Sequence, residues 1–217
     1  MKTNTLKNSA LSLTTPFSKF SLRTIASACL LTAFATLAQP LDKEQSDDLV
    51  ELIESGQIAK ISQVIDHGLD IDQEFEGDGT PLIIAVRNGD KALVEYLVSR
   101  GADVNKASIP DGNPLINAAI TNNVELLYFL YQHGAKLDDI VEHDETALIS
   151  ASKAGAFQAV KFLVEQGADV NLAVKARTIR GSELRSPLSV AKNNEIKAYL
   201  LAQGATQSNA SQEVYAP

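Results

Sequence analysis

Three histidines are the residues of this chain best suited to bind a metal ion or transfer protons near neutral pH. His67 and His133 each directly precede a glycine, and His143 follows Glu142. A metal site needs several ligands close together, but the chain has no HxxxH or CxxC spacing and only one cysteine, Cys29. We therefore predict no metal site, and we expect His67 and His133 to be structural, since a cation suits the end of a helix.

Other patterns that would support catalysis are also missing from the sequence. There is no GxSxG motif and no glycine-rich phosphate loop. The carboxylates Glu74, Glu76 and Asp78 do not match the spacing of a calcium-binding loop. We expect no cofactor and no catalytic residue, and an enzyme that uses loops as its site is the weaker alternative.

A short phrase returns at a constant interval along the chain. GADVN at 101–105 recurs at 167–171, with weaker copies at 68–72 and 134–138. A start motif precedes these phrases, as TPL at 80–82, NPL at 113–115, TAL at 146–148 and SPL at 186–188. A fixed period of this length is typical of stacked repeat arrays, not of a domain built around one cleft.

Each unit has the pattern of two short helices. In 79–105, Thr80 is suited to cap a helix that begins at Pro81, and Gly89 ends that helix. A second helix with apolar residues at helical spacing follows and ends at Gly101. Asparagine is the residue that next best accepts a positive φ. The stop after the first helix accordingly falls at Gly56, Gly89, Asn122 and Gly155.

These motifs resemble the ankyrin repeat over residues 45–205. The resemblance implies an all-α solenoid of helix pairs with β-hairpin-like fingers, about five units including the two end units. It also implies a protein-binding role. The expected units are 45–72, 73–105, 106–138, 139–171 and 172–205, followed by a polar tail, 206–217, that we expect to be disordered.

The sequence departs from the family's pattern directly after each start motif. The family usually carries a histidine there, which forms hydrogen bonds between neighbouring units. This chain has Ile83, Ile116, Ile149 and Ser189 at those positions. We expect apolar packing to replace the polar link and the fingers to be less firmly oriented.

A second departure is an insertion in the last unit, where seven extra residues lie between Asn171 and Pro187. It makes this finger the basic segment of an otherwise acidic body. Three readings are open: a solvated loop, a site for an acidic partner, or a segment that folds back onto the protein's own acidic surface. Its charged residues are Lys175, Arg177, Arg180 and Arg185, against Glu183.

The resemblance places the candidate binding surface on the finger tips and the matching positions of the first helices. An apolar residue at a finger tip has no core to fill, so Phe75, Ile109 and Val141 are the expected contact anchors. The alternative is that isolated exposed apolar residues are common on any surface. The finger candidates are Phe75, Glu76, Asp78, Ser108, Ile109, Asp111, Val141, Glu142, His143, Val174, Lys175, Arg177 and Arg180. The helix candidates are Arg87, Asn88, Ile120, Thr121 and Lys153.

The segment 1–38 has the pattern of a secretory signal peptide, with cleavage expected after Ala38 and a linker at 39–44. A basic start precedes an uncharged run, 24–38. As a helix this run reaches about 22 Å, short of the ~30 Å hydrocarbon core. The alternatives are an uncleaved anchor, an organelle transit peptide and a lipid-modified Cys29.

The net charge of the exported chain excludes some classes of binding partner. The full chain has 19 basic and 27 acidic residues, and removal of the segment 1–38 takes away four basic ones. The remaining net charge of −12 repels phosphate backbones, so we expect neither nucleic acid nor an anionic membrane surface as a partner. Without Cys29, the exported chain contains no thiol.

The expectation is therefore a monomeric, non-catalytic, periplasmic module that binds another protein, without stable insertion into a membrane once the signal is cleaved. One alternative is a secreted effector that binds a host protein. Another is a structural scaffold of the envelope. The sequence identifies neither the partner nor the pathway.

Overall fold

The computed structural model describes residues 41–141, 145–178, 181–206 and 213–214, with backbone alone at 176–178, 181–182 and 213–214. The predicted signal peptide, 1–38, lies outside the described residues. Within them the chain forms ten helices and three strands. The helices are α1 Lys43–Glu54, α2 Ile58–Asp66, α3 Pro81–Arg87, α4 Lys91–Ser99, α5 Pro114–Ile120, α6 Val124–Gln132, α7 Ala147–Ala154, α8 Phe157–Glu165, α9 Pro187–Val190 and α10 Asn194–Ala202. The strands are β1 Ala173–Thr178, β2 Gly181–Arg185 and β3 Glu213–Val214.

The start motifs cap the first helix of each unit, as predicted. The Thr80 side chain accepts a hydrogen bond from the backbone N–H of Ile83, and Pro81 occupies the first helical position, where a missing N–H costs nothing. The same bond is made from Asn113, Thr146 and Ser186. The opening unit starts differently: Asp42 caps α1 through a capping box with Gln45, so this helix begins inside the predicted linker.

The cap of α8 comes from the preceding unit. Most second helices are capped by the residue directly before them: Asp90, Asn123 and Asn193 each accept an N–H bond from three residues ahead. In α8 this position is Ala156, which has no side-chain acceptor. Asn122 fills the role from the previous unit, with its Oδ1 2.9 Å from the backbone nitrogen of Ala159.

The helix pairs stack in chain order. Among the first helices, α1 packs on α3, α3 on α5, α5 on α7 and α7 on α9, while α6, α8 and α10 form a second row. Leu82, Leu115 and Leu148, one from each full unit, are buried in this core. Each unit thus covers its neighbour's apolar flank, which is the predicted helical repeat solenoid.

Isoleucines at the position after the start motif are fully buried, as expected. Ile83, Ile116 and Ile149 are at most 1% exposed, whereas the equivalent Ser189 is exposed. Burial of such a side chain contributes about 1.5–3 kcal/mol. The packing that replaces the family's histidine therefore stabilises the stack without a polar group at this position.

The insertion folds as a two-stranded antiparallel hairpin. Strand β1 pairs with β2 from Val174 opposite Arg185 to Thr178 opposite Gly181. On its other edge β1 pairs in parallel with β3, which lies within the segment 206–217. The other residues of that tail beyond Thr206 lie outside the described residues.

Candidate interaction surface

Each of the first two described fingers is a tight turn closed by backbone hydrogen bonds. Phe75 and Gly79 exchange N–H···O bonds of 2.9 and 3.0 Å, and Ser108 and Gly112 do the same at 3.0 and 2.8 Å. Gly79 has a φ of +83°, which few other residues adopt. This geometry sets which finger residues face inward.

The residue that begins each finger is buried, and this corrects four of the predicted contact positions. Phe75, Ser108, Val141 and Val174 occupy the same place in successive units and are 3%, 5%, 6% and 1% exposed. Successive residues of an extended segment point to opposite sides, so the first finger residue turns toward the helices and the next turns outward. Phe75 and Val141 belong to the hydrophobic core, so their side chains are not exposed as the finger positions had predicted.

The outward position keeps one of the predicted apolar anchors. Ile109 follows the buried Ser108 and is 54% exposed. Its equivalent in the preceding finger is the exposed Glu76, and the equivalent in the basic hairpin is the partly exposed Lys175. Glu142 and His143, predicted at the third finger, lie outside the described residues.

Ion pairs join the fingers to the C-terminal ends of the first helices. Arg87, the last residue of α3, lies with Nη2 3.3 Å from Oδ1 of Asp78 in its own finger and with Nη1 3.4 Å from Oδ1 of Asp111 in the next. The Asp111 side chain is 13% exposed, and its Oδ2 has no hydrogen-bond partner among the described residues. Arg87 therefore neutralises two neighbouring finger carboxylates and links the two units.

An apolar residue interrupts this row of ion pairs. Ile120 and Lys153 occupy the positions equivalent to Arg87 in the next two units. Lys153 bonds Glu145 of its own unit at 3.3 Å, while Ile120 is 49% exposed. The predicted neighbours Asn88 and Thr121 are both exposed.

We define the finger–helix face as the outer finger residues together with the ends of α3, α5 and α7. Ile109 and Ile120 are its exposed large apolar residues within the described part of the chain.

The basic hairpin is fixed to the acidic body through Arg185. Its Nη1 lies 2.5 Å from Oε1 of Glu145, a carboxylate that is only 5% exposed, and its Nη2 lies 3.7 Å from Glu183. Of the three readings of this segment, folding back onto the protein's own acidic surface is confirmed for Arg185. Arg177 pairs with Ser182 in the hairpin backbone, and Arg180 lies outside the described residues.

Glu145 is a residue that the sequence reasoning missed. It stands where the first two full units carry Gly79 and Gly112. A buried charge is costly unless it is paired, and here Arg185 and Lys153 both pair with it. The replacement of a repeated glycine by a carboxylate was the signal that could have revealed it.

His67 and His133 lie at the ends of helices, as expected. His67 and His133 are the residues after α2 and α6, and Nδ1 of each lies 2.5 and 2.8 Å from the carbonyl oxygen four residues earlier. Because a carbonyl oxygen only accepts, Nδ1 carries the proton in both. The described part of the chain brings no three His, Cys, Asp or Glu side chains together in a way that could hold a metal ion. Over the same residues, no helix combines the length and apolar character needed to cross a bilayer.

Comparison with protein-family models agrees with this geometry. Residues 78–109 match the ankyrin repeat, and residues 106–174 match a model of three ankyrin repeat copies. Residues 78–174 of this chain are ankyrin repeats. The family model thus confirms the resemblance that the start and end motifs of each unit predicted. Comparison with curated proteins finds no match.

The ankyrin repeats indicate the general role of this part of the chain. Ankyrin repeats are modules of protein–protein interaction, and the family is generally non-catalytic. The finger–helix face is the candidate surface for such contacts. The family does not determine which charged and apolar residues lie on this face, so they are specific to this chain.

Proposed function

We propose that the array captures a partner protein in the bacterial envelope on its finger–helix face, with Ile109 and Ile120 as the contact anchors. The observation that carries the proposal is the exposure of two large aliphatic side chains on one unit, 106–138, at positions where the neighbouring units carry charge. Exposed apolar residues bordered by polar ones are typical of the centre of an interface.

The surrounding charges support specificity rather than raw affinity. On one side Arg87 is held by Asp78 and Asp111, and on the other Lys153 is held by Glu145. Charges already paired within the chain stay in place when a partner approaches, and they disfavour partners that cannot match them. The partner we expect therefore presents an apolar patch opposite unit 106–138.

The test is capture of the partner by variants of the exported protein. Ile109→Asp and Ile120→Asp should each weaken capture from the native envelope by at least about tenfold, which corresponds to about 1.4 kcal/mol of binding energy. Leu201→Asp is the matched control, since Leu201 is 55% exposed on α10, away from this face. Circular dichroism must establish that all three variants keep the helical fold. Equal capture by wild type, Ile109→Asp and Ile120→Asp would contradict the proposal.

Export to the periplasm is part of the same proposal and is supported by the pattern of residues 1–38. A protein that begins at Gln39, found by mass spectrometry in the periplasmic fraction as a monomer, is the expected result. Recovery of the same species from the culture medium would favour the secreted effector instead. An uncleaved chain in the membrane fraction would favour the anchor.

A further inference from the structure

Four side chains form the joints between successive units. Asp72, Asn105, Asp138 and Asn171 close the phrase that ends each unit, and each accepts a hydrogen bond from a backbone N–H about one unit further along the chain. The acceptor Oδ1 lies 3.0 Å from the nitrogen of Asp103, 3.0 Å from Lys136, 3.1 Å from Asp169 and 2.8 Å from Thr206. The repeated position thus links every unit to the next.

The two asparagine joints make a second hydrogen bond that the aspartates cannot make. Nδ2 of Asn105 donates to the carbonyl oxygen of Gly134 at 3.0 Å, and Nδ2 of Asn171 donates to that of Gly204 at 3.2 Å. An ionised carboxylate has no proton to donate. In the aspartate joints both carboxylate oxygens instead face the same N–H, at 3.0 and 3.3 Å in Asp72 and at 3.1 and 3.2 Å in Asp138.

The repeat symmetry identifies the equivalent carbonyl groups at the two aspartate joints. Gly101 and Gly167 follow Asp72 and Asp138 at the same interval in the sequence at which Gly134 follows Asn105. A carbonyl oxygen beside an ionised carboxylate sets two partial negative charges against each other. The same carbonyl beside a protonated carboxyl group would have a donor.

The electrostatic setting of the joints favours proton uptake. Burial raises the pKa of Asp72 above its ordinary value of 3.8, and the nearby carboxylates of Asp103 and Asp70 raise it further. The N–H bond from Asp103 and the ammonium group of Lys106, itself paired with Glu74 at 3.0 Å, act in the opposite direction.

The second aspartate joint has the same setting with fewer charges. Burial raises the pKa of Asp138, and the carboxylate of Asp169 adds to it. The hydrogen bond from the Asp169 N–H lowers it. Both joints therefore gain from a proton for the same geometric reason, although the charges around them differ.

We propose that the joints at Asp72 and Asp138 are proton-sensitive: on protonation each carboxyl group donates to the carbonyl oxygen of Gly101 or Gly167 and so completes the pair of hydrogen bonds that Asn105 and Asn171 already make. The array becomes tighter at these two joints as the pH falls. The asparagine joints do not respond, because an amide does not titrate.

The pH window follows from the direction of the shift. A carboxyl group that binds its proton more tightly in the folded protein destabilises the fold at pH values above its folded pKa. This cost is removed as the pH falls through the folded pKa toward the unfolded value of 3.8. The aspartate joints are therefore weakest at neutral pH.

The experiment compares the wild type with the double variant Asp72→Asn, Asp138→Asn in urea denaturation at pH 7 and pH 4. We expect a higher midpoint for the variant at pH 7 and a smaller difference at pH 4, where the wild-type carboxyl groups approach the behaviour of the amide. Asp47→Asn, at an exposed position of α1, is the control and should show no such convergence. A variant that is equally more stable at both pH values, or no more stable at pH 7, would overturn the proposal.

A measurement on the unaltered protein keeps the test independent of folding defects in the variant. Carboxyl carbon chemical shifts of Asp72 and Asp138, followed by NMR during a pH titration, should give midpoints above the ordinary value of 3.8. Hydrogen exchange at the Asp103 and Asp169 amides, corrected for its intrinsic pH dependence, should slow by several fold from pH 7 to pH 4. Ordinary titration midpoints with unchanged protection would exclude proton-sensitive joints.

Discussion

Arg185 places its guanidinium group against the buried carboxylate of Glu145, with Nη1 2.5 Å from Oε1. The two residues are 40 positions apart, and their bond ties the end of the inserted hairpin to the finger of the preceding unit. Lys153 reaches the same oxygen at 3.3 Å. The sequence of the basic insertion suggests that it is available to an acidic partner. In the structure, part of its positive charge is paired within the protein.

Removal of the Arg185 guanidinium should destabilise the array. We expect Arg185→Ala to lower the free energy of unfolding by about 1–3 kcal/mol, because Glu145 is left buried with less compensation. Lys161→Ala is the control: its i,i+4 pair with Glu165 is exposed and contributes only about 0.3–0.5 kcal/mol. Urea denaturation measures both, and a double-mutant cycle with Glu145→Gln isolates the pair. Additive effects in the cycle would show that the two residues are not coupled.

Alanine substitutions at two glycines with positive φ distinguish the energetic cost of backbone strain from that of steric conflict. Gly79 and Gly101 have φ of +83° and +97°. A Cβ on Gly79 would lie 2.9 Å from Cγ2 of Ile83, whereas a Cβ on Gly101 would meet no atom of the described residues within 4 Å. Gly101→Ala should cost about 1–2 kcal/mol from the backbone alone. Gly79→Ala should cost about 1–3 kcal/mol more, from overpacking.

Thermal and urea denaturation of these two glycine variants provide the comparison. Equal stabilities of Gly79→Ala and Gly101→Ala would mean that Ile83 moves aside at no cost.

Because Asn122 caps α8, we expect Asn122→Gly to destabilise the protein, whereas backbone conformation alone predicts that it stabilises. Asn122 has a φ of +56°, which glycine adopts more easily, so conformation alone favours Asn122→Gly. Because the change removes the bond to the Ala159 N–H, we expect a net loss of about 0.5–2 kcal/mol. Adding Ala156→Asn should restore stability, since it recreates the arrangement that Gly89 of unit 73–105 and Asn123 of unit 106–138 already have. Failure of the second change to rescue the first would contradict capping between units.

Asp66 and Arg100 should give the protein an acid-labile contact between the opening unit and the next. Their Oδ1 and Nη2 atoms lie 2.5 Å apart, and the hydrogen bond from Arg100 lowers the pKa of Asp66 below its ordinary value of 3.8. A lowered folded pKa stabilises the protein above the unfolded value and loses this effect as the pH falls through the folded value. Arg100→Gln should therefore be less stable than wild type at pH 7 and equal to it in strong acid. In the variant, the NMR titration midpoint of Asp66 should rise toward 3.8, and an unchanged midpoint would rule the pair out as its cause.

The repeat could be predicted from the sequence because its markers act locally. Thr80 and Pro81 define a helix start through bonds to residues close by in the chain, and the glycines after each helix define its end through their own φ. Such signals need no knowledge of neighbouring units. The helical solenoid and the family followed from them.

The contacts between units could not be predicted in the same way. Phe75 and Val141 were expected at the surface because they lie in fingers, and the direction of their side chains depends on where the inward and outward alternation of the finger begins. Glu145 and Asn122 find their partners 40 and 37 residues away. Only the relative placement of stacked units brings these atoms together.

Helix α9, the first helix of the last unit, affects how further units could be added to the array. Helix α9 is a single turn of four residues, Ala191 leaves the helical conformation with a ψ of 119°, and the next N–H, from Lys192, donates back to the carbonyl of Ser152. The backbone of the last unit is therefore already hydrogen-bonded to the unit before it. Its short first helix leaves a smaller surface against which an additional unit could pack. A duplicate of 106–138 spliced between two complete modules would meet full-length neighbours on both sides. We expect this architecture to grow by insertion in its middle rather than by addition at its end.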